Sequence, residues 1–126
     1  EREIGRFLEK IEAGAEYAIT QPVFDIELLF RFLDRVHKHH RTIPVIAGIF
    51  PLLSFKNAEF MNTHVPGVVV PQAILDRIGR AKTREDGIKI GTEIARETRD
   101  KIAGQVAGFQ VSAPLGKIEI ALEVLV

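Results

Sequence analysis

The stretch YAITQPVFD, residues 17–25, runs apolar and then presents Thr20 and Gln21 before a proline. Pro22 bars the helical region for the residue before it, so Gln21 stays extended and its side chain leaves the chain in a fixed direction. A carboxamide offers two donors and an acceptor, which suits a flat heterocycle of mixed donors and acceptors. The same residues equally allow Gln21 to cap the following helix or to tie two loops together. A second polar segment, Ser112 to Pro114, closes AGFQVSAP at residues 107–114.

Other chemistry is sparse. No strand end carries a convincing general acid: Glu119 lies past the last expected strand, and Asp25 is better used as a helix cap, so no catalytic residue is assigned within the chain. His37, His39 and His40 invite a metal assignment because 37 and 40 share a helical face. No carboxylate is placed to complete a shell, so they read as solvated basic residues at a helix end and no metal site is expected. There is no G-x-G-x-x-G after any strand, which argues against a self-contained dinucleotide fold. Phe60 lies about 140° around its helix from Phe55, so one buried stripe cannot hold both. Either Phe60 packs with Met61 on a second face, or it is free to meet a ligand.

The elements that must position these groups alternate. Ile4, Phe7, Leu8 and Ile11 mark one face of a first helix ending at Gly14. A strand follows at 17–21, then a helix from Asp25 with Leu29, Phe32, Leu33 and Val36 inward. Its acidic first turn and basic end (His37, Lys38, His39, Arg41) complement the helix dipole. IPVIAGIF, residues 43–50, reads as a strand buried on both faces and stopped by Pro51. A short helix from Ser54 to His64 comes next, and PGVVVP (66–71) reads as a connecting loop. QAILDRIGRAK and a long helix from Thr83 follow, the latter turning Ile88, Gly91, Ile94, Ala95, Thr98 and Ile102 inward. The third strand is residues 107–114, and a last helix is expected to bury Ile118, Ala121, Leu122 and Leu125.

Helices alternating with continuously apolar strands give an α/β fold, a parallel sheet covered by helices. A (β/α)8 TIM barrel needs about 250 residues, so this chain is expected to supply about three βα units, the C-terminal portion of one. Residues 1–126 form a single partial domain with no internal boundary. A start at Glu1 directly into a helix suggests a piece of something longer. Three strands taken from a barrel would leave two edges and an inner face uncovered, so a homo-oligomer, a swapped assembly or a rearranged compact layer is expected.

Composition narrows the function classes. The chain has 126 residues, 46% hydrophobic and 27% charged, with seventeen basic against seventeen acidic residues. That balance provides no overall field for nucleic acid or an anionic membrane. The absence of cysteine removes thiolate catalysis and zinc-thiolate sites and fits a reducing compartment, so a cytoplasmic location is expected. No apolar run approaches the roughly 20 residues that span a bilayer, and the start has no signal-peptide layout.

The combination of AGAEYAITQPVFD, IPVIAGIFPLLSFKNAEFM and a closing strand and short helix resembles the C-terminal part of methylenetetrahydrofolate reductase over essentially the whole chain. The endings APLGK and EIALEVL are similar to forms fused to a homocysteine methyltransferase domain. The resemblance implies a flavoenzyme of one-carbon metabolism and methionine biosynthesis, an oxidoreductase on a (β/α)8 barrel. In it NADH or NADPH reduces FAD, and the reduced flavin then delivers a hydride to 5,10-methylenetetrahydrofolate, giving 5-methyltetrahydrofolate.

Residue by residue, the resemblance makes Gln21 a contact to the folate pterin and Phe60 a partner of the substrate's aminobenzoate ring or of the nicotinamide. Lys117 is the nearest cation for the folate tail, and Lys10 corresponds to a lysine that contacts the flavin. From the residues alone, Lys10 is also a solvated lysine suited to a helix C-terminus. The acidic residues that serve the chemistry in this family belong to the first half of the barrel, so the isolated segment is expected to be inactive and to need the rest of the barrel N-terminal to Glu1. Two other readings remain: a stand-alone small-ligand-binding module around Gln21 and Ser112, and a structural or oligomerisation piece without catalysis.

Overall fold

The computed structural model describes residues 2–38 and 43–126, with side chains from Ile4 onward. Glu1 and residues 39–42 lie outside the described residues, and with them the expectations for His39, His40 and Arg41. In chain order the elements are α1 (Arg2–Glu12), β1 (Ala18–Pro22), α2 (Ile26–Lys38), β2 (Val45–Ile49), α3 (Phe55–His64), α4 (Gln72–Ile78), α5 (Arg84–Ile102), β3 (Gly108–Val111) and α6 (Ile118–Leu125). A single 3₁₀ turn, Pro114–Gly116, joins β3 to α6. Segment 66–71 has no regular structure, as its bracketing prolines led us to expect.

All strand pairs are parallel, in the order β1-β2-β3. Sequential neighbours with helical crossovers are the arrangement of successive βα units in a barrel wall. Side chains alternate across a strand, and Val45, Ala47 and Ile49 of β2 join Leu29 and Leu33 of α2, Ala95 and Ile102 of α5 and Val124 of α6 in one core. Phe109 and Val111 of β3 pack on the same core. The intervening residues Ile46, Gly48 and Gln110 therefore face the opposite side, which in a closed barrel is the lumen. A second core of Phe24, Leu52, Ala58, Met61, Val68, Val70 and Ile78 lies beyond the strand ends and anchors α3, α4 and segment 66–71.

Two glycines explain how α5 reaches the loop after β2. A Cβ built on Gly91 would overlap the Leu52 carbonyl oxygen, and one on Gly87 would overlap that of Leu53. Only hydrogen side chains let the helix lie against backbone there. The loop is also tied from its other end: the Ser54 hydroxyl accepts from the Asn57 N–H and the Asn57 side-chain Oδ1 accepts from the Leu53 N–H, both at 3.1 Å. These reciprocal bonds satisfy donors that a helix start leaves open. Thr83 and Asp86 repeat the device at the start of α5.

The last helix corrects the expected stripe. Ile120, Ala121 and Val124 are the buried residues of α6, whereas Ile118, Leu122 and Leu125 are half or more exposed. Six of its eight residues are apolar, so periodicity offers several phases and packing chooses one. Arg99 of α5 contributes to that choice by donating to the Val124 carbonyl at the end of α6, a cation on the negative end of a helix.

Candidate ligand groove at the end of the first strand

Gln21 owes its position to an irregularity in the sheet. Ile19 pairs with Ile46 and Pro22 with Gly48, so three steps on β1 oppose two on β2. The extra residue is a β-bulge, which bends a strand and re-aims a side chain. The Thr20 hydroxyl replaces the missing ladder bond, accepting from the Gly48 N–H at 2.9 Å and donating to the Gln21 carbonyl at 2.8 Å. Regular pairing resumes when the Val23 N–H donates to the Gly48 carbonyl at 2.9 Å. Gly48 is obligatory, because a Cβ there would stand 2.7 Å from the Thr20 carbonyl oxygen. Sequence reasoning placed Thr20 and Gln21 at the first strand end and Gly48 toward the end of the second, but missed the joint that Thr20 makes with Gly48; the signal was a lone glycine inside an apolar strand, which marks a bulge or a close backbone approach.

Gln21 is exposed and lines a groove of about 280 Å³ that follows the outer edge of β1. Phe7 of α1 and Phe32 of α2, which pack edge to face with centroids 5.2 Å apart, contribute to its lining. So do Gln21, Asp25, Leu28, Gly67 and Val69. The walls are mainly apolar, with a few polar groups from Thr20, Gln21 and Asp25, the usual makeup of a small-molecule site. Among the described residues no lysine or arginine lines this groove.

The other residues singled out in the sequence are not gathered there. Phe60 is 52% exposed, so it does not pack in the core with Met61, which is buried. Its ring stacks on His64 at 4.8 Å and 5°, and the His64 Nδ1 lies 2.7 Å from the Thr63 hydroxyl. Lys10 is exposed in the last turn of α1, which leads into the start of β1, the opposite end from Gln21. Lys117 is half-buried between the 3₁₀ turn and α6. Ser112, at the end of β3, donates its N–H to the Ile49 carbonyl at 2.9 Å. Among the described residues no group of three or more histidines and carboxylates could hold a metal ion, and no helix is long and apolar enough to cross a membrane. The resolved pKa shifts fall elsewhere, at Arg77 and Glu97, where a two-pronged ion pair raises the guanidinium and lowers the carboxylate.

Parallel strands in sequential order with helical crossovers place the chain in the class of (β/α)8 barrel proteins, of which it is a portion. The comparisons narrow this class. The family model for methylenetetrahydrofolate reductase matches residues 1–113. Methylenetetrahydrofolate reductase 2 of Schizosaccharomyces pombe is 34% identical over 117 residues, covering 86% of this chain and 18% of its own length. The 5,10-methylenetetrahydrofolate reductase of Escherichia coli is 39% identical over 61 residues, covering 45% of this chain and 21% of its own. The fold matches a Clostridium thermocellum protein that binds two copies of 5-methyl-5,6,7,8-tetrahydrofolic acid, with a TM-score of 0.66 and 22% identity, over 97% of this chain and 46% of that one. The chain belongs to the methylenetetrahydrofolate reductase family. It spans about a fifth of the length of these curated relatives.

Proposed function

We propose that this chain forms the folate-side wall of a methylenetetrahydrofolate reductase, an oxidoreductase that converts 5,10-methylenetetrahydrofolate to 5-methyltetrahydrofolate. The observation that carries the reading is Gln21, set by a bulge at the end of β1 and exposed at the mouth of an apolar groove, in a chain of this family. Its carboxamide can donate to and accept from the polar edge of a pterin in one plane, while the groove walls exclude water from the ring faces. The exposed Phe60 ring supplies a face for the aminobenzoate or nicotinamide ring, and Lys117 supplies a cation toward the anionic folate tail.

FAD, when bound by the complete enzyme, would supply the hydride for the folate, with NADH or NADPH as its source. The described groove residues of this chain do not fit a flavin dinucleotide, since among them no cation lines the groove to meet a diphosphate. The flavin is therefore assigned to the remainder of the barrel, with Lys10 as this chain's one contact to it. The general acid is assigned there too, because Asp25, the carboxylate that lines the groove, is engaged in capping α2, where it accepts from the Leu28 N–H at 3.2 Å. The 126-residue segment by itself is expected to hold no stoichiometric flavin and to be inactive. We further propose a cytoplasmic, homo-oligomeric enzyme of methionine biosynthesis, with APLGK and EIALEVL supporting a form joined to a homocysteine methyltransferase domain.

The test uses the complete reading frame that contains this sequence. Purified protein supplied with NADH or NADPH and methylenetetrahydrofolate should form 5-methyltetrahydrofolate. A colourless protein that binds a pterin without turnover would replace this reading with a ligand-binding module.

A further inference from the structure

Segment 66–71 contributes to the groove in a way that its sequence does not advertise. Val68 and Val70 are 4% and 3% exposed and sit in the second core with Phe24, Leu52 and Ile78. Successive side chains of an extended segment point to opposite sides, so anchoring both neighbours turns Val69 outward. It is 45% exposed and lines the same groove as Gln21. The backbone is held at this setting by the Val70 N–H, which donates to the Asn62 side-chain oxygen at 2.8 Å, and by the Val68 N–H, which donates to the Val65 carbonyl at 3.2 Å. Gly67, at φ +82°, makes the turn that brings the segment over the end of β1 and lines the groove as well.

We propose that Val69 is a specificity-determining residue, the apolar face of a slot whose polar edge is Gln21. The inference rests on the folate reading above and deepens it. A β-branched side chain is stiff at χ1, so the Val69 methyl groups form a wall of fixed position. A flat bicyclic ring placed with its edge on the Gln21 carboxamide lies with one face against that wall. The slot selects for ring thickness at Val69 and for donor–acceptor pattern at Gln21.

The test compares wild type, Val69→Ala and Val69→Phe in the complete reading frame, with thermal unfolding to confirm that each variant is folded. Val69→Ala removes apolar contact and Val69→Phe fills the slot. Each should raise KM for methylenetetrahydrofolate by about tenfold or more, exceeding any change in KM for the reduced nicotinamide. A folate KM within twofold of wild type in both variants would overturn the assignment of Val69. If wild type shows no folate turnover, the reductase reading fails, and calorimetric titration with 5-methyltetrahydrofolate decides the slot separately. Binding by wild type that Val69→Phe abolishes supports the slot, and no binding by wild type overturns it.

Discussion

The hydroxyl of Thr20 and the backbone of Gly48 form one joint. The hydroxyl takes the Gly48 N–H at 2.9 Å, and the absent Gly48 side chain leaves room for the Thr20 carbonyl, which a Cβ would approach to 2.7 Å. The bulge that sets Gln21 depends on both halves. Thr20→Val leaves the Gly48 N–H without its partner and should destabilise by about 1–3 kcal/mol. Gly48→Ala forces backbone against backbone and should destabilise by about 1–3 kcal/mol. Chemical denaturation checks both, and wild-type stability for Gly48→Ala would remove the steric account of the bulge.

The same substitution should have opposite signs at two helical glycines. At Gly91 a methyl group meets the Leu52 carbonyl, whereas at Gly5 nothing lies within 4 Å of the added carbon. Gly91→Ala should destabilise by about 3 kcal/mol or unfold the protein, because α5 must retreat from the loop. Gly5→Ala should stabilise by about 0.5–1 kcal/mol through helix propensity and unfolded-state entropy. Melting temperatures of the two variants measured side by side provide the comparison.

Arg77 and Glu97 join α4 to α5 through two hydrogen bonds of 2.8 and 2.5 Å, with Glu93 at 3.7 Å. The side chains of Arg77 and Glu97 are 37% and 48% exposed, so solvent screening holds the pair to about 1 kcal/mol or less. The hydrogen bond from Arg77 lowers the Glu97 pKa, desolvation opposing it. A carboxylate with a depressed folded-state pKa contributes stability above its unfolded pKa and loses it as pH falls through the folded one. The stability gap between wild type and Glu97→Gln should therefore be present at neutral pH, shrink in acid below the ordinary carboxylate range, and fall with added salt. A gap independent of pH would contradict the ion-pair account.

Phe60 offers a separation of folding from function. At 52% exposure and stacked on the exposed His64, its ring should matter little to stability, so Phe60→Ala is expected within about 1 kcal/mol of wild type. If it faces the substrate, the same variant should lose about tenfold in kcat/KM for the folate. Retained activity with lost stability would assign Phe60 to packing instead.

Much of the fold was legible because its signals are local. Apolar runs ended by prolines placed β1 and β2 within two residues, and the stripe of α5 from Gly91 to Ile102 is buried as its spacing requires. The phase of α6 was not legible, since a helix apolar on most sides carries no unique face. Gln21 was legible as a directed amide because Pro22 restricts it locally. Its surroundings were not: Gly48 lies 28 positions away from Thr20, and Val69 faces the groove only because Val68 and Val70 are anchored in a core built from distant elements. Lys10, Phe60 and Lys117 entered by resemblance to a family, and the groove of this chain brings none of them to Gln21.

The central claim, that the Gln21 amide meets the pterin, has a direct test in the complete reading frame that contains this sequence. The flavin is reduced, methylenetetrahydrofolate is added without oxygen, and the oxidised flavin band is followed by rapid mixing in wild type and Gln21→Ala. The account predicts full return of the band in wild type and, in the variant, reoxidation slowed by about tenfold, the worth of one hydrogen bond of about 1.4 kcal/mol. Equal rates in the two proteins, or a flavin that stays reduced in wild type, would contradict it.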